Sequence, residues 1–304
     1  MYLSYFDFHT KPFAMSPDPA FLYESEQHAA AWTTLEYAIE SQASFCLLTG
    51  EIGSGKTTLI RRLIRMLGDQ VAIGLVSNTH GGFRSIHPWA LSALGIEPRD
   101  SAEISQFEAL NEFFIEEYGR GRRTLLIFDE AQNLSVHTLE ELRLLSNVNS
   151  EQDVALQTIL VGQPELRQKL ARPELRQFAQ RVAVDFHLNA LSLTAADAYI
   201  KHRLTVAGGS EAIFHRTAIS LIHSLSRGIP RLINQLCDLS LVYAFAERRQ
   251  CVTFDLVQKV LRDRTNGRMG KPFEALVEGA KSTPMPVEGI APKSIDGAGI
   301  PGRA

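Results

Sequence analysis

The chain of 304 residues has little cysteine, no long apolar run and no dominant charge. Cys46, Cys237 and Cys251 lie far apart and fit no redox or metal-ligand spacing, so each reads as a small buried thiol in a reducing compartment. No apolar stretch approaches the ~20 residues that a membrane-spanning helix needs. The opening MYLSYFDFHTKPF lacks the basic-then-apolar pattern of a secretion signal. These absences predict a cytoplasmic protein with no integral membrane segment, recruited to the inner membrane if it works there. The formal net charge of −3 excludes global attraction to nucleic acid or anionic lipid, leaving only local basic patches. The nine histidines contain no H-E-x-x-H and pair with no cysteine, so no spacing announces zinc.

What is present is an alternation. Phe45–Thr49, Val71–Ser77, Thr124–Phe128, Leu156–Val161 and Val182–Phe186 are short apolar runs, each followed by helix or turn signals. Runs of this length between helical segments read as buried parallel strands. The predicted fold is α/β, a three-layer αβα domain with a five-stranded parallel sheet over residues 44–189. Residues 1–43 are expected to pack on that core as a segment plus a helix. Strand signals then cease. Thr194–Ala207, His215–Ser226, Pro230–Glu247 and Asp255–Arg264 read as helices of a small all-helical lid domain over 190–265. Thr194 and Asp255 are the expected N-caps, and Gly208, Gly209 and Gly228 the expected stops. From Asn266 the composition turns rich in glycine and proline, predicting a disordered tail over 266–304 with at most a helical turn near Phe273–Val277.

The chemistry concentrates at three places. Gly50-Glu51-Ile52-Gly53-Ser54-Gly55-Lys56-Thr57 matches the phosphate-binding loop G-x-x-x-x-G-K-[ST], with a predicted strand before it and a helix from Thr58 after it. Glycines let backbone N–H groups wrap a triphosphate, and the helix N-terminus adds a favourable field. Lys56 is expected at the β- and γ-phosphates and the Thr57 hydroxyl on magnesium. At the end of the third run, Asp129 is placed to hold the metal and Glu130 to polarise the attacking water. ATP and Mg2+ are the cofactors this predicts. Gln163, after the fourth run, is either a γ-phosphate sensor or part of a strand-end turn. Asn78 either holds Glu130 or caps a turn.

Arginines complete the pattern. Among Arg167, Lys169, Arg172, Arg176 and Arg181, most belong to a solvated helix face. One is positioned to reach a neighbouring subunit's ATP as a finger, Arg181 first and Arg176 second. Arg231 follows Pro230 at a helix start, where the dipole disfavours a cation, so it either faces an anion from the lid side or is a surface arginine reaching back to solvent. Phe8, Pro12, Phe13, Phe21 and Tyr23 either line the adenine pocket or pack across the domain edge.

Taken together these features resemble the AAA+ ATPases and, within them, the general secretion pathway protein A (ExeA-type) family. The matching segments are K-P-F-x-M-S-P-D-P-x-F-L-Y, T-G-E-I-G-S-G-K-T-T, I-F-D-E-A-Q-N-L, L-E-E-L-R-L-L-S-N, I-L-V-G-Q-P-E-L-R, R-Q-F-A-Q-R-V, Y-I-x-H-R-L-x-x-A-G-G and G-I-P-R-L-I-N, spread over roughly residues 8–260. The resemblance implies ATP-driven homo-oligomerisation as ring or filament. It also implies Gln163, Arg181 and Arg231 as sensor, finger and lid residues. Full-length secretion members continue into a membrane span and a peptidoglycan-binding domain, and here only a short tail follows, which points to relatives found with exosortase and exopolysaccharide systems. The expected function is an ATPase that powers or regulates assembly of an envelope or export system. The alternative is a DNA-binding regulator of transposition, in which Arg61, Arg62, Arg65 and the arginines at 120, 122 and 123 would line a pore.

Overall fold

The five apolar runs form one sheet. In the computed structural model, which describes residues 2–15, 21, 23–77, 85–97, 102–150 and 153–266, they are β1 (Phe45–Gly50), β2 (Val71–Val76), β3 (Arg123–Phe128), β4 (Leu156–Gly162) and β5 (Val182–Leu188). Their order is β2-β3-β4-β1-β5, and every ladder is parallel. The three inner strands are buried on both faces, which is why they read as unbroken apolar runs. The edge strands β2 and β5 have exposed positions interleaved.

The period-two alternation of strand side chains divides the core into two layers. Leu125 and Ile127 of β3 point to one face, with α1 (Glu26–Glu40) and α2 (Lys56–Leu67). Leu126 and Phe128 point to the other, with α3 (His87–Leu94), α4 (Glu103–Gly119), α5 (Val136–Leu145) and α6 (Pro164–Leu170). A single turn, α7 (Arg176–Ala179), leads into β5.

Beyond β5 the described chain is helical: α8 (Leu193–Val206), α9 (Arg216–Ser226), α10 (Pro230–Ala246) and α11 (Phe254–Asn266). Two expected caps move. Ser192, not Thr194, accepts from the Ala195 N–H at 3.2 Å and starts α8. Helix α11 already begins at Phe254, which puts Asp255 in its first turn, and it runs through Asn266. Residues 267–304, including Phe273–Val277, lie outside the described residues.

The N-terminal segment corrects a second expectation. Among its described residues, α1 packs on the sheet. Tyr2, Phe6, Phe8, Phe13 and Phe21 join the core of the helical region, with Tyr199, Ile219 and Leu236. Buried Arg203 of α8 ties the strap down by donating to the Pro12 carbonyl at 2.6 Å and the Ala14 carbonyl at 3.2 Å. Its guanidinium also stands over the Phe21 ring at 4.9 Å. These aromatics therefore pack in the core of the helical region. Cys46 and Cys237 are buried as expected, but Cys251 is exposed because it lies in the turn between α10 and α11. No described helix is long and apolar enough to cross a membrane.

Candidate functional site

The phosphate loop sits where β1 meets α2. Gly53 (φ +82°) and Gly55 (φ +108°) occupy backbone conformations that L side chains avoid. Space is closed there as well. A Cβ on Gly55 would stand 2.7 Å from His28 Nε2, and one on Gly53 would stand 2.4 Å from Arg231 Cβ. Ser54 is buried and its hydroxyl has no hydrogen-bond partner. Glu51, Ile52 and Thr57 are exposed on the rim, while Gly50 is buried at the end of β1. Thr58 is half-buried, its N–H donating to the Gly55 carbonyl at 3.0 Å.

Lys56 opens α2 with its ammonium beneath the loop. Nζ donates to the Gly50 carbonyl at 2.7 Å and the Glu51 carbonyl at 2.9 Å. Burial lowers its pKa, opposed by the charges of Glu130, Asp129 and Glu51. Next to it, Thr57 Oγ1 donates to Asp129 Oδ2 at 3.2 Å. Strand β3 delivers Asp129, whose N–H continues the sheet to the Val76 carbonyl at 3.0 Å.

Glu130 leaves the strand with φ +55°, an uncommon conformation for a non-glycine residue and one that concentrates at functional sites. Its Oε2 accepts from Gln132 Nε2 at 2.6 Å and from Gln163 Nε2 at 3.1 Å. Gln132 Oε1 in turn accepts the Gln163 N–H at 3.0 Å, closing a triangle between the loops after β3 and β4. Burial pushes the Glu130 carboxyl up, but the two amide donors and the Lys56 charge together hold it below the ordinary carboxylate range. The sequence picked out Gln163 and missed Gln132, whose position two residues after Glu130 was the available signal. Asn78, the expected holder of Glu130, lies outside the described residues.

Two further contacts had no sequence signature. His28 of α1 is buried, with Nε2 at 3.1 Å from the Ser54 carbonyl and Nδ1 at 2.7 Å from Ser25 Oγ. Burial lowers its pKa. His187 of β5 lies 2.9 Å from the Thr49 hydroxyl at the loop's base.

The arginines divide. Arg231, at the second position of α10, lies on the loop and its N–H donates to the Gly53 carbonyl at 3.4 Å. Arg181 is bound within its own chain: its guanidinium donates to the Arg143 carbonyl at 3.0 Å, to Asn147 Oδ1 at 2.8 Å and to Ser146 Oγ. It holds the C-terminal end of α5, a favourable place for a cation. Arg176 is exposed at the start of α7. Of the pore candidates, Arg120 and Arg122 both pair with buried Glu117, and Arg62 pairs with Glu24.

These groups fit a nucleoside triphosphate and a divalent cation. The ammonium of Lys56 has three protons for two loop carbonyls. The Ser54 hydroxyl is an unsatisfied polar atom inside the loop. Thr57 and Asp129 present the hydroxyl and carboxylate oxygens that magnesium takes.

The AAA domain family matches residues 39–170, which include the loop, the acidic pair and Gln163. General secretion pathway protein A of Aeromonas hydrophila is 40% identical over 251 residues, covering 81% of this chain and 45% of that protein. The chain thus spans about half the length of that relative. Among solved structures it is similar to the ORC2 protein of Aeropyrum pernix in ADPNP-ADP complexes, at 18% identity and TM-score 0.59, covering 83% of this chain and 71% of that one. It is similar also to Cdc6p of Pyrobaculum aerophilum, at 17% identity and TM-score 0.59, covering 82% and 71%. At such identities the similarity is one of fold.

Proposed function

We propose that this chain, an AAA ATPase of the general secretion pathway protein A type, hydrolyses ATP at a site completed by a second copy of itself. We further propose that the cycle powers or regulates assembly of an envelope or export system. The observation that carries the first part is the meeting of the acidic pair with the phosphate loop, Thr57 against Asp129 and Glu130 held by two glutamines.

In this reading residues 50–58 wrap the phosphates, and Lys56 turns its ammonium from loop carbonyls toward the β- and γ-phosphates. Thr57 and Asp129 would hold magnesium, which would supply charge neutralisation. Glu130 orients and polarises the attacking water, and Gln163 reports on the γ-phosphate through its bond to Glu130. Arg231 closes the site from the helical region, which we take as a lid over residues 190–265 beginning after a boundary near 189. An arginine from the neighbouring subunit supplies the remaining positive charge. Arg181 is the first sequence choice, and its three in-chain acceptors make exposed Arg176 the stronger one. The export role rests on the identity to the secretion protein, whereas the cytoplasmic location, with recruitment to the inner membrane, rests on the cysteine usage and the lack of a spanning apolar run in the sequence.

Turnover per subunit measured against protein concentration tests the shared site. A cooperative rise is expected, and full activity from isolated monomers would overturn it. For the pathway, deletion of the gene should cause an export or envelope defect that wild type restores and Lys56→Ala does not. Turnover stimulated by DNA with a steep salt dependence would instead favour the transposition alternative.

A further inference from the structure

On the sheet face opposite α1 and α2, three helices bring together donor groups that the nucleotide site does not use. His87 at the start of α3, Glu103 in the first turn of α4 and Glu141 in α5 each offer a ligand atom, all within 4.8 Å of one another. His87 and Glu141 are each only 5% exposed, and Glu103 closes the cluster at the solvent rim.

Glu141 is the informative member. Its Oε2 accepts the Ile86 N–H at 2.8 Å, but Oε1 is buried with no hydrogen-bond partner. Its ion-pair contact among the described residues is His137 Nε2 at 3.6 Å, too long for a hydrogen bond and on a side chain 70% exposed. A carboxylate buried on those terms is costly to keep charged unless a cation meets it. His87 is oriented for the same point. Its Nδ1 lies 3.2 Å from Ser85 Oγ, which leaves Nε2 for a ligand, and the Phe107 ring packs edge-on against the imidazole. Orientation of a ligating imidazole through its other nitrogen is the usual support for a metal-bound histidine.

We propose that His87, Glu103 and Glu141, with His137 as the fourth donor, form a divalent metal site whose preferred occupant is zinc. Two imidazoles and two carboxylates are a borderline donor set suited to a tetrahedral zinc at ~2.0–2.2 Å per bond. Mutual separations of up to 4.8 Å require His87, Glu103 and Glu141 to draw inward by less than about an ångström each, while the exposed His137, now 3.6 Å from Glu141, reaches the ion by rotamer adjustment. Such an ion neutralises Glu141 and fastens the starts of α3 and α4 to α5. Residues 131–135 join α5 directly to Glu130, so the site braces the helix behind the acidic pair. No sequence spacing announces it because the donors come from three separate helices.

The test uses the full untagged chain, stripped with chelator and held in excess Mg2+ so that Thr57 and Asp129 are not available to zinc. Metal analysis after gel filtration is expected to find one zinc per chain, and added zinc to raise the melting temperature. Glu103→Gln, a surface change, should leave the zinc-free melting temperature unaltered while weakening zinc binding roughly 10- to 100-fold. His87→Gln should remove binding. Asp129→Asn should leave the stoichiometry at one. Saturation below one zinc per chain, or retained zinc in both Glu103→Gln and His87→Gln, would overturn the proposal. So would loss of zinc in Asp129→Asn, which would assign the ion to the nucleotide site.

Discussion

Arg231 rests directly on Gly53. The lid arginine donates its N–H to the Gly53 carbonyl at 3.4 Å, and its Cβ, Cγ and Cδ occupy the space a Cβ on Gly53 would need. Side chain and glycine are complementary in shape, which couples the position of α10 to the conformation of the phosphate loop. Gly53→Ala combines a left-handed φ with a 2.4 Å clash, and it should weaken ATP binding by about 10-fold or more, the equivalent of the ~1–2 kcal/mol conformational cost alone. Arg231→Ala removes a charged donor worth ~1.5–3 kcal/mol and should lower turnover about 10- to 100-fold. Equilibrium binding of a labelled ATP analogue together with steady-state turnover checks both. Wild-type turnover in Arg231→Ala would remove it from the site.

Glu130→Gln should lower turnover by roughly 10²–10⁴ with ATP binding retained, the range expected on removal of a general base. Gln132→Ala is more diagnostic of the triangle. The two glutamines and Lys56 hold the Glu130 carboxyl low, so deleting one donor raises its pKa. The basic form is then lost at higher pH, and the acid limb of the pH–rate profile moves upward. A pH series on the variant measures it, and an unmoved limb would show that Gln132 does not tune Glu130.

Arg181 and Arg176 separate by what they do to the isolated subunit. Arg181→Ala removes the donor to the Arg143 carbonyl of α5 and the donors to the side-chain oxygens of Ser146 and Asn147, and should cost ~1–3 kcal/mol, read as a fall of several degrees in melting temperature. Arg176→Ala should leave melting unchanged and abolish the concentration-dependent part of turnover. If Arg181→Ala melts like wild type and loses only turnover, the finger is Arg181 after all.

His28 gives a pH dependence. Burial lowers its pKa in the folded chain, opposed by the Ser54 carbonyl and the charge of Glu24, so the unfolded chain takes up the proton first. Stability is therefore full above the unfolded value of about 6.5 and falls as pH drops toward the lower folded value. His28→Gln keeps a donor near Ser54 and should flatten that fall. Melting temperature from pH 7.5 to 5 reads the difference, and identical slopes would discard the assignment.

Much of this protein was legible in one dimension. Strand runs are local patterns, and all five appear within one or two residues of their expected bounds, the three inner ones because they are apolar on both faces and the edge strands because enough apolar residues still mark them. The phosphate loop and the Asp129–Glu130 pair are equally local: the first is contiguous and the second sits at the end of its own strand. The helices after β5 were legible too, with small errors at Thr194, where the Ser192 hydroxyl two residues earlier takes the capping role, and at Asp255, which lies one residue inside the start of α11. Side-chain partnership was not. That Phe6, Phe8 and Phe13 belong to the helical core, that Arg181 grips the end of α5, and that His28 touches the loop all depend on distant segments meeting. So does the approach of His87, Glu103 and Glu141. Periodicity fixes which face of an element is apolar. Only tertiary packing decides which other element covers that face, and so which polar groups end up within bonding distance.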